Sequence, residues 1–140
     1  MANSNHHNLV EEALALSLQI QKFQKKIQDA EDNWTEFYDR EDPQDQYVRL
    51  TLGMAVDQME TMARKILQID KDVVSEGYLT RNRNGRFELN GHELTSGYPI
   101  EYLDLDDPNC WRQSRIEHSG DYYVYGDKSL QLEGLRVRIK

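Results

Sequence analysis

The chain has 140 residues and a formal net charge of −8, with 38% hydrophobic and 30% charged residues. This length allows one domain or two very small ones, and the low apolar content suits exposed helices better than a compact enzyme. The negative charge disfavours nonspecific binding to nucleic acid or membrane surfaces. A single cysteine, Cys110, excludes a disulfide framework and indicates a reducing, cytoplasmic compartment.

The first half of the chain carries two rows of apolar residues at heptad spacing. Within each row the steps alternate between four and three residues, which is the pattern of a coiled-coil seam. The first row consists of Leu9, Ala13, Leu16, Ile20, Phe23, Ile27, Ala30, Trp34 and Phe37. The second row consists of Val48, Leu52, Ala55, Met59, Met62, Ile66, Ile69 and Val73. The two rows predict a helical hairpin over residues 8–75, preceded by a disordered tail at residues 1–7.

The ends of the two helices are also marked in the sequence. One helix is expected over residues 8–38 and the other over residues 44–74. Asp42 suits the N-cap of the second helix, and Pro43 suits its first turn because a proline there sacrifices no hydrogen bond. A connection this short makes the helices antiparallel neighbours. Gly53 lies inside the second helix, either for close packing against the first helix or because it is merely tolerated.

The pattern changes from helical to alternating at Gly77. Short apolar–polar runs follow, separated by Asn-Gly and Ser-Gly turns, as in small antiparallel sheets. One run lies at residues 129–132, and in residues 135–140 apolar and basic residues alternate strictly. Residues 76–140 are therefore predicted to form a small antiparallel β-sheet or partly open barrel. The fold class is α+β, an N-terminal antiparallel coiled-coil helical hairpin followed by this small β domain.

Several motifs of the second half occur together in one order. They are Gly85-Arg86-Phe87, Glu93-Leu94-Thr95-Ser96-Gly97, Ile100-Glu101, Trp111, Arg115-Ile116-Glu117, Tyr122-Tyr123 and Leu132-Glu133-Gly134-Leu135-Arg136-Val137-Arg138. In this order they resemble a family of short uncharacterised domains found in small proteins of Gram-positive plasmids, phages and conjugative elements. The resemblance implies a mobile-element setting inside a bacterial host, where small acidic proteins often inhibit host defence, the anti-CRISPR proteins among them. It implies no catalytic residues.

The end of the predicted hairpin is both acidic and aromatic. Residues 1–76 hold eight Lys/Arg against fifteen Asp/Glu, a net charge of −7, whereas residues 77–140 hold nine against ten, a net charge of −1. Eight of the carboxylates lie within residues 29–45, together with three aromatic rings. Dense negative charge suits a basic protein groove that normally holds nucleic acid, and aromatic anchors provide much of the affinity of protein interfaces. A solvated acidic turn that closes the seam is the alternative.

The candidate partner-binding residues come from this end of the hairpin and from two apolar positions off the seam. The set is Glu31, Asp32, Trp34, Glu36, Tyr38, Asp39, Glu41, Asp42, Asp45, Leu50 and Met54. Leu50 and Met54 have no partner in the predicted hairpin, so they are either scattered surface residues or part of a contact with another molecule.

The second half offers a different candidate, a surface for nucleic acid. Its residues are Arg112, Arg115, Arg136, Arg138 and Lys140. Arginines near tyrosines on a small β domain resemble a surface for single-stranded nucleic acid. Interleaved glutamates can instead pair with these cations across the strands.

No residues combine into a catalytic site, and no cofactor or metal site is predicted. The hypothesis for function is a non-catalytic, protein-binding inhibitor from a mobile genetic element. Its partner would be a host protein or ribonucleoprotein complex that processes nucleic acid, such as a CRISPR effector. Two alternatives stay open, a small nucleic-acid-binding regulator that uses the C-terminal arginines, and a structural adaptor that forms a homodimer. No apolar run is long enough to span a bilayer, so no membrane partner is expected.

Overall fold

The computed structural model describes residues 5–106 and 109–140, in which the helices come first and the strands follow. The helices are α1 (Asn5–Asp32), α2 (Trp34–Phe37) and α3 (Pro43–Asp70). The strands are β1 (Ser75–Tyr78), β2 (Thr80–Arg81), β3 (Phe87–Leu89), β4 (His92–Leu94), β5 (Pro99–Asp104), β6 (Cys110–Ser119), β7 (Asp121–Val124) and β8 (Arg136–Ile139). The chain divides into two compact units, a helical unit and a β unit, with the boundary between Asp70 and Lys71. The α+β class predicted from the sequence is confirmed.

The start of α3 is the one that the sequence predicts. α3 begins at Pro43, and the Asp42 side chain accepts a hydrogen bond from the backbone N–H of Gln44 at 2.9 Å. This satisfies one of the N–H groups that have no partner in the first turn of a helix. α1 begins at Asn5, within the expected tail at residues 1–7, of which residues 1–4 lie outside the described part of the chain.

The first helix is shorter than predicted because it breaks at Asn33. The backbone N–H and the side-chain Nδ2 of Asn33 both donate to the carbonyl oxygen of Asp29, at 3.2 and 3.0 Å. Asparagine side chains compete in this way for backbone acceptors, and the chain resumes as the separate short helix α2. The second long helix ends at Asp70 rather than near Val74, whose N–H donates instead to the Ile139 carbonyl oxygen of the β unit at 2.8 Å.

α1 and α3 run antiparallel to each other. The side-chain Nε2 of Gln24 donates to the Val56 carbonyl oxygen at 3.2 Å. Seven residues later on α1, and seven earlier on α3, Glu31 pairs with Arg49 at 2.6 Å. The numbers rise along one helix as they fall along the other, and the same register places buried Ser17 level with buried Ala63.

The buried face of α1 differs from the predicted seam. The members of the first row that are buried or half-buried are Ala13, Ile20, Ile27, Ala30 and Trp34. The members that are exposed are Leu9, Leu16, Phe23 and Phe37. The prediction that all of this row is buried is therefore wrong, and Val10, Ser17 and Gln24 are buried or half-buried next to the exposed ones. Ser17 and Ala63 are small, which allows the two helix axes to approach closely at this face.

The β unit contains two antiparallel sheets. The strand order is β1-β8-β5-β6-β7 in the five-stranded sheet and β2-β3-β4 in the three-stranded sheet. The chain passes from one sheet to the other at Leu79, whose N–H donates to Leu135 and whose carbonyl oxygen accepts from Gly134, both at 2.9 Å. The predicted antiparallel architecture is confirmed, and the sheets do not form a closed barrel.

The core of the β unit follows the alternation of its strands. In β8, Val137 and Ile139 are buried, while Arg136 is exposed and Arg138 is half-buried. The full buried cluster is Leu79, Phe87, Leu89, Leu94, Ile100, Ile116, Val124, Leu132, Val137 and Ile139. The strict alternation at the end of the chain therefore predicted the inward and outward faces of this strand correctly.

The turns of the β unit are mostly those expected. Asn90 and Gly91, between β3 and β4, have φ of 51° and 84°, as a two-residue hairpin turn requires. The expected strand at residues 129–132 is wrong. The N–H and Oγ of Ser129 both donate to Asp127 Oδ1, at 3.0 and 2.6 Å, and these local hydrogen bonds hold the chain in a turn.

Candidate partner-binding site

The loop between α2 and α3 is held by its own carboxylates. Asp45 Oδ2 accepts a hydrogen bond from the N–H of Asp39 at 2.6 Å, and Asp39 Oδ1 accepts one from the N–H of Glu41 at 2.9 Å. Backbone donors at a bend need acceptors, so Asp39, Asp42 and Asp45 shape the loop. The side chains of Glu36 and Glu41 are exposed and supply negative charge beside it.

A groove of about 510 Å³ lies next to this loop, between α1 and α3. The lining residues are Ile27, Gln28, Glu31, Tyr38, Arg49, Leu50, Gly53, Met54, Val56 and Asp57. Apolar walls with a few polar groups that fix orientation are typical of binding sites. This groove is therefore the candidate functional site of the helical unit.

Gly53 opens the groove. A Cβ atom added at Gly53 would meet no atom within 4 Å, so the glycine does not serve close packing between the helices. The missing side chain leaves space beside Leu50 and Met54, which are both exposed. Glycine costs a helix about 1 kcal/mol relative to alanine, and no contact within the helical unit offsets that cost.

A charged contact lies along the edge of the groove. Arg49 Nε and Nη2 donate to the two carboxylate oxygens of Glu31, at 2.8 and 2.6 Å. The Arg49 guanidinium also lies over the ring of Trp34, 4.2 Å from its centroid. These hydrogen bonds from Arg49 hold the pKa of Glu31 below its ordinary value of 4.5. One of the acidic residues of this end is thus neutralised by a cation from α3.

Four of the predicted contact residues lie together in the groove, and the others lie outside its lining. The four that line the groove are Glu31, Tyr38, Leu50 and Met54. Trp34 packs under Arg49, and Asp32 Oδ1 accepts a hydrogen bond from Gln28 Nε2 at 2.9 Å. The remaining five lie in the loop between α2 and α3 or in the adjoining ends of these helices, and are Glu36, Asp39, Glu41, Asp42 and Asp45.

Sequence reasoning missed several groove residues, Arg49 and Gly53 above all. Arg49 lies outside the acidic stretch at residues 29–45, so its pairing with Glu31 depends on the antiparallel register of two distant segments. Gly53 carried a usable signal, because it is a glycine inside a helix and lies between two apolar residues off the seam, Leu50 and Met54. That combination predicts a depression with apolar edges on the helix surface.

The cations of the alternative nucleic-acid surface are paired within the β unit. The pairs are Arg112 with Asp104 at 2.7 Å, Arg115 with Glu117 at 2.6 Å, Arg136 with Glu76 at 3.2 Å, Arg138 with Glu101 at 2.5 Å and Lys140 with Glu101 at 3.3 Å. The hydrogen bond from Arg112 also holds the pKa of Asp104 below its ordinary value. Each of the five positive charges therefore has a carboxylate close by, which weakens the case for a phosphate-binding surface.

Glu101 is the buried centre of this set. Its side chain and that of Lys140 are each only 5% exposed, and the Arg138 guanidinium lies 4.3 Å from the centroid of the Trp111 ring. A buried charge is costly unless it is paired and hydrogen-bonded. This cluster is therefore best explained as part of the structure of the β unit.

Comparison with known proteins concerns the β unit. Residues 77–139 match the model of a protein family described as a domain of unknown function, DUF5348. The match confirms that the second half of the chain is an uncharacterised domain, as the order of its motifs predicts. No curated protein matches the chain, and no solved structure matches it. The groove of the helical unit lies outside the matched residues.

Neither a membrane-spanning helix nor a metal-binding cluster is present in residues 5–106 and 109–140. None of the helices there is both long and apolar enough to cross a membrane. No group of three or more His, Cys, Asp or Glu side chains in the same residues is placed to hold a metal ion.

Proposed function

We propose that this chain is a non-catalytic protein that binds a partner protein through the groove between α1 and α3 and the acidic loop beside it. The observation that carries the proposal is the groove itself, in which exposed Leu50 and Met54 lie next to an acidic loop. An apolar side chain flanked by lysine or arginine is the natural complement of this surface, because the apolar part supplies affinity and the charges supply orientation.

The proposed partner is a complex that processes nucleic acid. Such complexes have basic grooves, and residues 1–76 of this chain, with eight Lys/Arg against fifteen Asp/Glu, carry a net charge of −7. A negative protein surface competes with nucleic acid for a basic groove by electrostatic complementarity. Together with the mobile-element setting implied by the motifs of the second half, this leads us to propose inhibition of a host defence complex of the CRISPR effector type, in the bacterial cytoplasm. An antiparallel coiled-coil hairpin is the geometry we propose for presenting the acidic end.

The groove is tested by filling it. Gly53→Trp places a large ring in the groove, whereas Gly53→Ala adds a methyl group that meets nothing within 4 Å. We expect Gly53→Ala to bind a purified CRISPR effector ribonucleoprotein as the wild type does, and Gly53→Trp to lose at least tenfold in affinity by surface plasmon resonance. Circular dichroism checks that both variants remain helical. Equal binding by both variants would remove the groove from the contact.

The acidic loop is tested by charge reversal at residues that do not hold the loop together. Glu36→Lys combined with Glu41→Lys should slow association and relieve inhibition of DNA cleavage, since complementary charge chiefly raises the association rate. Glu11→Lys combined with Asp70→Lys is the matched control, because it reverses two exposed carboxylates at the opposite end of the helices. If the wild type binds no effector complex over a range of salt concentrations, the proposed class of partner is wrong.

A further inference from the structure

One flank of the α1–α3 pair is apolar and exposed. On α1 the flank consists of Leu9, Leu16 and Phe23, which are spaced by seven residues and adjoin the buried face. On α3 it consists of Ala55, Met62 and Ile69, which are also spaced by seven residues and also adjoin the buried face. In an antiparallel pair these two rows lie on the same side. Leu9 is 67% exposed, Leu16 50%, Met62 43% and Ile69 53%, so the pair leaves much of this flank uncovered.

The opposite flank has a different character. Its middle stretch carries Gln21 and Gln28 on α1 and Gly53 and Glu60 on α3. The apolar residues of this flank lie towards its two ends, with half-buried Leu14 and Leu67 at one end and exposed Leu50 and Met54 in the partner-binding groove at the other. A helix that contacts a single neighbour needs only a narrow apolar stripe, whereas a wider stripe is typical of a helix with two or more neighbours. The breadth of the apolar surface on α1 and α3 therefore indicates a further helical neighbour on the apolar flank.

We infer that a second copy of this chain covers the apolar flank, so that two helical pairs stack into a four-helix bundle. This dimer is independent of the proposed partner contact, because the groove lies on the other flank. Bundles of this kind bury apolar positions from all four helices in one core. At the α3 edge of the flank lies an open hollow of about 530 Å³, lined by Met62 and Ile66 together with the polar residues Asp57, Gln58, Thr61 and Lys65.

The size of the flank fits a stable dimer. α1 and α3 have 28 residues each, which at about 1.5 Å per residue makes the flank about 42 Å long. Two helices side by side are about 20 Å wide, so the face measures roughly 800 Å². That is about the area that each partner contributes to a protein interface of standard size.

The charges along the edge of the flank suit a two-fold arrangement with the helical pairs antiparallel. Glu12 and Lys26 are exposed, and each lies three residues after a member of the apolar row, on the same side of α1. They stand seven residues on either side of Gln19. A two-fold axis beside Gln19 therefore places Glu12 of one copy over Lys26 of the other, twice in the dimer. The same axis brings Leu16 of one copy to within one residue of the level of Phe23 of the other.

The dimer is tested by the mass of the full chain in solution. Sedimentation equilibrium or light scattering should show twice the monomer mass of 16.5 kDa, and the melting temperature should rise with protein concentration. Leu16→Glu combined with Met62→Glu should give a monomer. Gln21→Glu combined with Gln28→Glu adds the same charge on the polar flank and should leave the dimer intact.

Leu9→Glu is a second variant that separates dimerisation from folding. Leu9 is already largely exposed within the helical pair, so this change should weaken the dimer at least tenfold while circular dichroism stays unchanged. A wild-type chain that is monomeric at 100 times the concentration used in the binding experiments, or apolar-flank variants that stay fully dimeric, would overturn the inference.

The arrangement within the dimer is tested by exchanging charges. Glu12→Lys should raise the dissociation constant several-fold at low salt, and adding Lys26→Glu should restore it, because the exchanged pair has the same complementarity. If the double variant is no tighter than the single one, the antiparallel arrangement is wrong.

Discussion

Two buried polar side chains differ in how their hydrogen-bonding needs are met. Glu101 is paired with both Arg138 and Lys140. Ser17 is fully buried, and its Oγ finds no hydrogen-bond partner in the described part of the chain. An unpaired buried charge costs several kcal/mol and an unpaired buried hydroxyl about 1–3 kcal/mol. The two residues should therefore respond in opposite directions to removal of the polar group.

Replacing Glu101 by glutamine should destabilise the β unit strongly. Glu101→Gln keeps the shape of the side chain but leaves the charges of Arg138 and Lys140 without their counter-ion in a buried site. We expect a loss of about 3–5 kcal/mol in the free energy of unfolding, measured by urea denaturation. Glu117→Gln breaks the more exposed pair with Arg115 and should cost less than about 1 kcal/mol. Equal effects of the two changes would contradict the structural role of Glu101.

Replacing Ser17 by alanine should stabilise the helical unit. Ser17→Ala removes a hydroxyl that lost its hydrogen bonds to water on burial and gained none within the protein, and alanine is also the better helix former. We expect a gain of about 1 kcal/mol in the free energy of unfolding. The converse change, Ala63→Ser, adds a hydroxyl at the same level of the buried face and should lose a similar amount. A loss of stability in Ser17→Ala would show that the hydroxyl has a partner.

The pairing of α1 with α3 includes a charged contact at its edge. Glu31 and Arg49 form a two-pronged hydrogen-bonded pair, and Trp34 lies under the guanidinium. Trp34 is therefore held at this end of the helices partly by its contact with a cation. The stability of the helical unit should depend on pH through this pair.

The direction of that pH dependence follows from the lowered pKa of Glu31. The folded chain binds a proton at Glu31 less tightly than the unfolded chain does, so the pair contributes stability above the ordinary pKa of 4.5 and loses it as the pH falls through the lowered value. NMR titration of the Glu31 carboxyl should show this pKa, and Arg49→Gln should return it towards the ordinary value. An unchanged titration curve in Arg49→Gln would contradict the contact.

The whole chain consists of two units with separate cores. The ten residues of the main apolar cluster all belong to the β unit, and the boundary between the units follows Asp70. Compact units with their own cores usually fold alone. The antiparallel sheets with tight turns need no residue of the helical unit for their hydrogen-bonded ladders.

A fragment containing residues 71–140 should therefore fold without the helices. We expect a cooperative thermal transition and a near-ultraviolet circular dichroism signal from Trp111, which lies against Arg138, and from Tyr98, Tyr102 and Tyr122, which pack against the core of the β unit. The matched comparison is the same fragment with Val137→Asp, which buries an unpaired charge and should be unfolded. A wild-type fragment without a cooperative transition would show that the β unit depends on the rest of the chain.

Local sequence patterns were sufficient to predict most of the helices, strands and turns. Pro43 with Asp42 marked the start of α3, and Asn90-Gly91 marked a hairpin turn, because these features depend only on neighbouring residues. The break at Asn33 was missed because an asparagine inside a helical pattern is ambiguous until its side chain is seen to take the Asp29 carbonyl. The groove itself was not predicted. Two of its residues, Leu50 and Met54, were candidates for a contact because they are apolar and lie off the seam in the sequence.

The amino-acid sequence by itself predicted three features, because periodicity and charge are properties of neighbouring residues. These are the order of helices and strands, the inward face of β8 and the acidic end of the helices. Three other features depended on packing between distant segments, so only the tertiary structure decided them. They are the side of α1 that faces α3, the contact of Arg49 with Glu31 and the groove beside Gly53. A heptad pattern with three apolar positions allows more than one buried face. In the structure the buried face is the one that carries the small side chains Ser17 and Ala63, which the antiparallel register brings level with each other.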